Sequence, residues 1–195
     1  MTIRLGLTGS IGMGKSTSAA MFADAGCAVW DADAAVHRLY SAGGAAVEPL
    51  RALFPDAIED GAVSRPALRR IIDADPQALA RIEGVVHPLV REDRARFARE
   101  TEARIAVFDI PLLFETGAED EMDATACVTT DPDTQRARVL ERGTMTEAQF
   151  DAIRDKQMPN DEKLARADYA IRTDTLEKAR EDVQNIIQDI VDRFG

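Results

Sequence analysis

The chain has 195 residues, of which 45% are hydrophobic and 30% charged, with a formal net charge of −11. That length suits one compact domain with room for a small insertion, and the apolar share is enough to bury a core. So acidic a chain is a poor partner for nucleic acid or an anionic membrane, and the absence of a bilayer-length apolar run or a signal-peptide pattern points to the cytoplasm.

From the amino end, Ile3-Arg4-Leu5-Gly6-Leu7 is an apolar run of strand length. It leads into Gly9-Ser10-Ile11-Gly12-Met13-Gly14-Lys15-Ser16, the Gly-x-x-x-x-Gly-Lys-Ser spacing of a phosphate-binding loop. Ser16 to Ala25 then reads as a helix, and strand, glycine loop and helix is the arrangement such a loop needs. Glycines adopt backbone angles closed to other residues and let phosphates come close. The wrapped N–H groups and the positive end of the helix attract the anion. Lys15 adds a mobile charge for the β- and γ-phosphates and Ser16 a hydroxyl for Mg²⁺, so Gly9 through Thr17 is the expected nucleotide-binding stretch. Arginine carries most of the positive charge, with lysine only at 15, 156, 163 and 178.

Cys27-Ala28-Val29-Trp30-Asp31 reads as a second strand; Cys27 and Cys127 have no metal-site spacing and read as reduced, buried thiols. Asp31-Ala32-Asp33 follows. One carboxylate can help organise a Mg²⁺ shell while the other orients or deprotonates a hydroxyl; a helix cap plus a solvated acid is the plainer reading. Ala32 to Ser41 is expected to be helical and Gly43-Gly44 to break it. From Val47 to about Arg104 the pattern is mostly helical, without a strand, with starts at Ser64-Arg65-Pro66 and Asp75-Pro76. His87-Pro88-Leu89-Val90-Arg91 reads as another helix opening, with Pro88 in its first turn.

Ile105-Ala106-Val107-Phe108 is a wholly apolar strand closed by Asp109, where phosphate-loop enzymes hold Mg²⁺ or its water. The apolar loop Pro111-Leu112-Leu113-Phe114-Glu115 is either a wall for an organic substrate or ordinary core. Ala124 to Thr129 is a further strand. Thr134 to Arg142 and Thr146 to Lys156 read as two helices around Gly143, the second opened by a Thr146–Gln149 capping box. Arg138 and Arg142, four apart, share a face, and a helix pair presenting arginine to a transferring phosphate would act as a lid. Tyr169-Ala170-Ile171 is a short strand, and an amphipathic helix from Leu176 to Phe194 closes the chain.

Strands alternating with helices predict an α/β, three-layer fold of the P-loop NTPase type, with a mostly parallel sheet and ligands beyond its carboxyl ends. Within a single P-loop kinase domain over 1–195, the core is expected at about 1–31, 105–132 and 165–195. A helical insertion is expected at about 32–104, to which the family resemblance set out next implies a substrate-binding role, and a helical lid at about 133–160. Neither an Asn-Lys-x-Asp guanine-reading motif nor a Ser-Gly-Gly-Gln transporter signature is present, which points to a small-molecule kinase.

Taken together, Leu7 to Ser16, Asp31-Ala32-Asp33, Asp60-Gly61 with Arg65, His87-Pro88-Leu89-Val90, Asp109 to Glu115, Gln157-Met158, Glu162-Lys163 and Ala167-Asp168 resemble the dephospho-coenzyme A kinase family. The match spans nearly the whole chain, and the His87 and Pro111 segments are its specific parts. The resemblance implies ATP-dependent phosphorylation of the ribose 3′-hydroxyl of dephospho-CoA, with ATP as co-substrate, Mg²⁺, and no obligatory protein partner. It implies Asp33 as the base, and Lys15 and Arg142 as the charges on the transferring group. Ser16 and Asp109 would organise the metal, and Asp33, His87, Arg91, Leu112, Leu113 and Glu115 would face the acceptor. Three departures stand out: Ser10 where the family often has glycine, Asp155-Lys156 where small residues usually precede the Gln-Met pair, and Ile171-Arg172-Thr173-Asp174-Thr175 without the asparagine common there, which bears on the adenine contacts. The competing readings are a kinase for nucleosides, nucleoside monophosphates or a small hydroxy acid, and a regulatory ATPase.

Overall fold

A computed structural model describes residues 2–194. From the amino end come β1 (Ile3–Thr8), α1 (Lys15–Asp24) and β2 (Ala28–Asp31). Next are α2 (Ala32–Tyr40), α3 (Val47–Leu53), β3 (Ile58–Glu59), β4 (Ala62–Val63), α4 (Arg65–Ala74) and α5 (Ala78–Glu100). The chain continues through β5 (Ile105–Asp109), β6 (Ala124–Thr129), α6 (Pro132–Glu141), α7 (Glu147–Arg154), α8 (Asn160–Arg166), β7 (Tyr169–Arg172) and α9 (Leu176–Phe194). Two compact units result: Met1–Trp30 with Thr101–Gly195, and Asp31–Glu100.

The first unit is built on a five-stranded sheet in the order β2-β5-β1-β6-β7. β1 pairs in parallel with β5 and β6, and β6 with β7, with Leu5 opposite Val107 and Ala124, and Val128 opposite Ile171. Central strands covered on both faces read as continuous apolar runs, and every residue of β5 is buried. On one face Leu5, Leu7, Val107, Val128 and Ile171 pack with Phe22 of α1 and with Val183, Ile186 and Ile190 of α9. The 3- and 4-residue spacing of that last set is the buried stripe of an amphipathic helix. Elsewhere Trp30 and Phe108 meet as a tilted aromatic pair, with centroids 6.0 Å apart. Each such fully buried apolar side chain contributes about 1.5–3 kcal/mol.

The second unit has its own apolar cluster, with Leu39, Val47, Leu50, Phe54, Val63, Leu68, Ile82 and Val86 at its centre. Its helices begin where the caps demand: Asp31 accepts from the Ala34 N–H at 2.6 Å and Ser64 from the Ala67 N–H at 3.3 Å. The Arg38 guanidinium bonds Asp93 at 2.6 Å, tying α2 to α5.

Two expectations for this unit are corrected. β3 and β4 form an antiparallel hairpin, with Ile58 opposite Val63, where no strand is predicted. Strands of two residues carry no readable period; the turn was the signal, since Asp60 (φ 50°) and Gly61 (φ 77°) are both left-handed, as a type I′ turn requires. Pro88 does not open a helix but lies inside the 23-residue α5. An interior proline loses one N–H donor and crowds the carbonyl four residues back. Here that residue is Gly84, and a Cβ there would meet nothing within 4 Å, so packing does not demand the glycine.

Candidate active site

The loop between β1 and α1 is shaped by contacts that leave no room for side chains. Gly9, Gly12 and Gly14 have φ of 157°, 79° and 89°. A Cβ on Gly9 would lie 2.2 Å from Val128 Cγ2, and one on Gly12 2.6 Å from Val139 Cγ2. Gly14 sits at the cap of α1 in the left-handed conformation, and no side chain caps the helix. Two loop amides are occupied: Ser10 N–H donates to Asn160 Oδ1 and Ile11 N–H to Gln157 Oε1, each at 3.1 Å. Met13 N–H donates to Ser10 O at 3.2 Å. Among the described residues the N–H groups of Gly12, Gly14, Lys15, Ser16 and Thr17 make no hydrogen bond. The result is a row of donors ending at the positive pole of α1, an anion cradle.

Lys15 reaches back from the loop to an ion pair with Asp109, which is 2% exposed at the carboxyl end of β5. Ser16 stands exposed one residue on, in the first turn of α1. No group of three or more His, Cys, Asp or Glu side chains gathers as a metal cluster among the described residues. The oxygens of Ser16 and Asp109 nonetheless suit Mg²⁺, which takes one or two protein oxygens and fills its shell with water and phosphate.

A cleft of about 390 Å³ opens beside the loop, lined by Gly14, Thr17, Arg138, Arg142, Thr173 and Leu176. The predicted shared face of Arg138 and Arg142 is thus real, and both residues line one hollow. Arg142 is the exposed residue at the end of α6. Arg138 is fixed: it donates to Thr173 Oγ1 at 3.0 Å and to Thr173 O at 2.5 Å. Thr173, where the asparagine was missed, is itself buried and donates to Met13 O at 2.7 Å. So a hydroxyl at this position holds the loop from below, a role invisible in the sequence.

A second set of bonds joins the segment around α8 to the loop after β5. Lys163 is wholly buried, and its ammonium donates to Pro111 O and to Glu115 Oε1, both at 2.8 Å. Glu115 Oε1 also accepts from Met158 N–H at 3.0 Å. Burial pulls the Glu115 carboxyl upward, but the Lys163 ammonium and the Met158 amide outweigh it and hold its pKa below the ordinary value. Thr8 Oγ1 donates to the same Pro111 carbonyl at 3.1 Å.

The residues expected to face an acceptor do not all stand alike. Leu112 is 43% exposed, whereas Leu113 is fully buried beneath β1: a Cβ on Gly6 would lie 2.9 Å from its Cδ2. For Leu113, core packing, the plainer of the two readings, is what the structure has. In the helical unit, Asp31 is spent on capping α2, while Asp33 is exposed in the first turn. His87 and Arg91, one turn apart on α5, are exposed. His87 borders a mainly apolar hollow of about 410 Å³ lined also by Val36, Tyr40, Leu68 and Ile82, with Arg65 stacked 5.6 Å over the Tyr40 ring. Gln157, Asn160, Lys163 and Thr173 are the contributors that the sequence did not single out for a role.

Cys127 is fully buried in β6, and burial pushes its thiol up to about 12; Cys27, half-buried, is pushed up to about 11 for the same reason. Both are free thiols.

Comparison with known proteins gives a consistent picture. The family model described as "Dephospho-CoA kinase" matches residues 3–192. A protein of Ruegeria pomeroyi named "Dephospho-CoA kinase" is 70% identical over 190 residues, covering 97% of this chain and 96% of the relative. The crystal structure of TT1252 from Thermus thermophilus superposes with a TM-score of 0.86 at 34% identity, covering 96% of this chain and 97% of the other. A structure titled "Dephospho-CoA kinase from Campylobacter jejuni" superposes at 0.70 with 25% identity, over 97% of this chain and 98% of that one.

Proposed function

This chain belongs to the dephospho-CoA kinase family, and we propose that it moves the terminal phosphoryl group of ATP to the ribose 3′-hydroxyl of dephospho-CoA, completing coenzyme A. The observation that carries the reading is the cradle: the unbonded amides of Gly12, Gly14, Lys15, Ser16 and Thr17, Lys15 within reach, and an adjoining cleft large enough for a nucleoside. Gly9 to Thr17 hold the phosphates. The base and ribose of ATP lie in the cleft between Arg138, Thr173 and Leu176.

In the transfer, the 3′-hydroxyl oxygen bonds to the γ-phosphorus and the bond from that phosphorus to the β,γ-bridging oxygen breaks, leaving ADP. The hydroxyl proton passes to the Asp33 carboxylate. Asp31, by contrast, has its Oδ1 engaged in capping α2, where it accepts the Ala34 N–H. Lys15 leaves its Asp109 partner for the phosphates, and with Arg142 offsets charge on the equatorial oxygens. Ser16 and Asp109 would hold Mg²⁺, which would supply charge neutralisation to the phosphates. His87, Arg91, Leu112 and Glu115 face the acceptor. The reaction runs in the cytoplasm on small molecules alone, without nucleic acid, a membrane or an obligatory protein partner.

The test is an ATP-consumption assay with Mg²⁺ across acceptors. Turnover with dephospho-CoA, giving the 3′-phosphorylated product, is expected. Phosphorylation of adenosine or a nucleoside monophosphate with none on dephospho-CoA would sink the reading, as would ATP hydrolysis indifferent to any acceptor.

A further inference from the structure

The seven residues from Gln157 to Lys163 touch both sides of the chemistry. At one end, Gln157 Oε1 accepts the Ile11 amide and Asn160 Oδ1 the Ser10 amide, each at 3.1 Å, so the start of the phosphate loop hangs on this segment. Asn160 is in turn fixed, since its Nδ2 donates to Val128 O at 3.2 Å. At the other end, Lys163 holds Pro111 O and Glu115 Oε1, and Met158 N–H holds that same carboxylate. Pro111 to Glu115 is the loop that directly follows Asp109.

The energetics make this more than a decorative contact. Lys163 is 0% exposed, and a buried ammonium is tolerable only while it is paired and hydrogen-bonded. Its partners are a carbonyl and a carboxylate on one short loop, so any shift of that loop must carry Lys163, and with it the segment, or leave a buried charge unpaired. Segment and phosphate loop are joined by the two amide bonds in the same way. Two loops separated by about a hundred residues in sequence are thereby constrained to a common position.

We propose that Lys163 is a positioning residue that couples the phosphate loop to the acceptor-facing loop through the Gln157–Lys163 segment, so that filling one site sets the geometry and affinity of the other. The inference rests on the reading of Pro111–Glu115 as acceptor-facing. Lys163 touches no reacting atom; it acts through Pro111, Glu115 and the two loop amides.

The experiment uses the full chain and the variants Lys163→Met, Lys163→Arg and Gln157→Leu. Two quantities are read: kcat with each KM, and the Kd of a non-hydrolysable ATP analogue with and without saturating dephospho-CoA. Wild type should turn over dephospho-CoA and bind the analogue with an affinity that changes at least about fivefold when acceptor is present, the lower end of usual couplings. Lys163→Met should lose about 10–100-fold in kcat, as a small misplacement of reacting groups does, and bring the two Kd values together. Lys163→Arg, which keeps the buried cation, should recover most of both. Gln157→Leu removes one link at a half-buried position and should reduce the coupling while leaving the melting temperature near wild type; it decides the matter if Lys163→Met does not fold. An unchanged coupling in a folded Lys163→Met or in Gln157→Leu, or no coupling in an active wild type, overturns the inference. A wild type inactive on dephospho-CoA instead overturns the functional reading beneath it.

Discussion

The sheet unit and the helical unit solve the problem of holding functional groups in opposite ways. In the sheet unit nearly every working part is pinned: Gly9 lies against Val128, Arg138 on Thr173, Thr173 under Met13, and Lys163 between Pro111 and Glu115. In the helical unit the apolar cluster around Leu50 and Ile82 makes the fold, and Asp33, His87 and Arg91 stand exposed on finished helices. Phosphate binding depends on backbone amides, and amides can be aimed only by shaping the chain itself. An acid or base needs only a side chain on a rigid support. The first kind of site is inseparable from its fold; the second is carried by it.

That contrast is broken or sharpened by three measurements. The largest effect is expected from Asp33→Asn, which should lower kcat by about 10²–10⁴-fold while leaving the melting temperature and nucleotide affinity close to wild type. Unchanged turnover would remove Asp33 from the chemistry, and a large loss of stability would show that the helical unit is not merely a support. Next comes Gly9→Ala. The added carbon cannot fit beside Val128 Cγ2, so both nucleotide binding and fold should suffer, by about 2–3 kcal/mol or a melting temperature lowered by about 5–10 °C. Lost nucleotide binding with full stability would mean the loop is less welded to the sheet than its contacts imply.

The smallest effect belongs to Glu115. Its folded pKa lies below the ordinary 4.5, so the ionised form contributes stability that is present above that value and lost as pH falls through the folded one. Glu115→Gln keeps the oxygen that Lys163 and Met158 bond and removes only the charge. Its melting temperature should trail wild type by a few degrees at pH 7, about 1 kcal/mol, and the gap should close towards pH 3. A gap that persists in acid would assign the effect to shape rather than charge.

What could be read from the sequence follows the same division. The phosphate loop, the strand closed by Asp109, the Thr146–Gln149 capping box and the face shared by Arg138 and Arg142 were legible because each depends on local spacing. The Asp60-Gly61 hairpin was missed because its strands are two residues long, and Pro88 was misplaced because proline is common in the first turn of a helix and rare in its interior. Leu113 was left open between wall and core because only the absence of a Cβ at Gly6 decides it. The bonds of Gln157, Asn160 and Lys163 to the loops were beyond reach, since they link residues 48 to 150 positions apart. Thr173 shows the same limit: the missing asparagine drew attention, but what the threonine does instead depends on the carbonyl of Met13 beneath it.

The two free thiols, one buried and one half-buried, gain a meaning from the substrate. Dephospho-CoA and its product both end in a sulfhydryl group, and thiol–disulfide exchange requires a thiolate. With the Cys127 proton held to about pH 12 and that of Cys27 to about 11, roughly one in 10⁵ and one in 10⁴ of these groups is ionised at neutral pH. Both thiols are therefore poor nucleophiles towards a disulfide form of that metabolite.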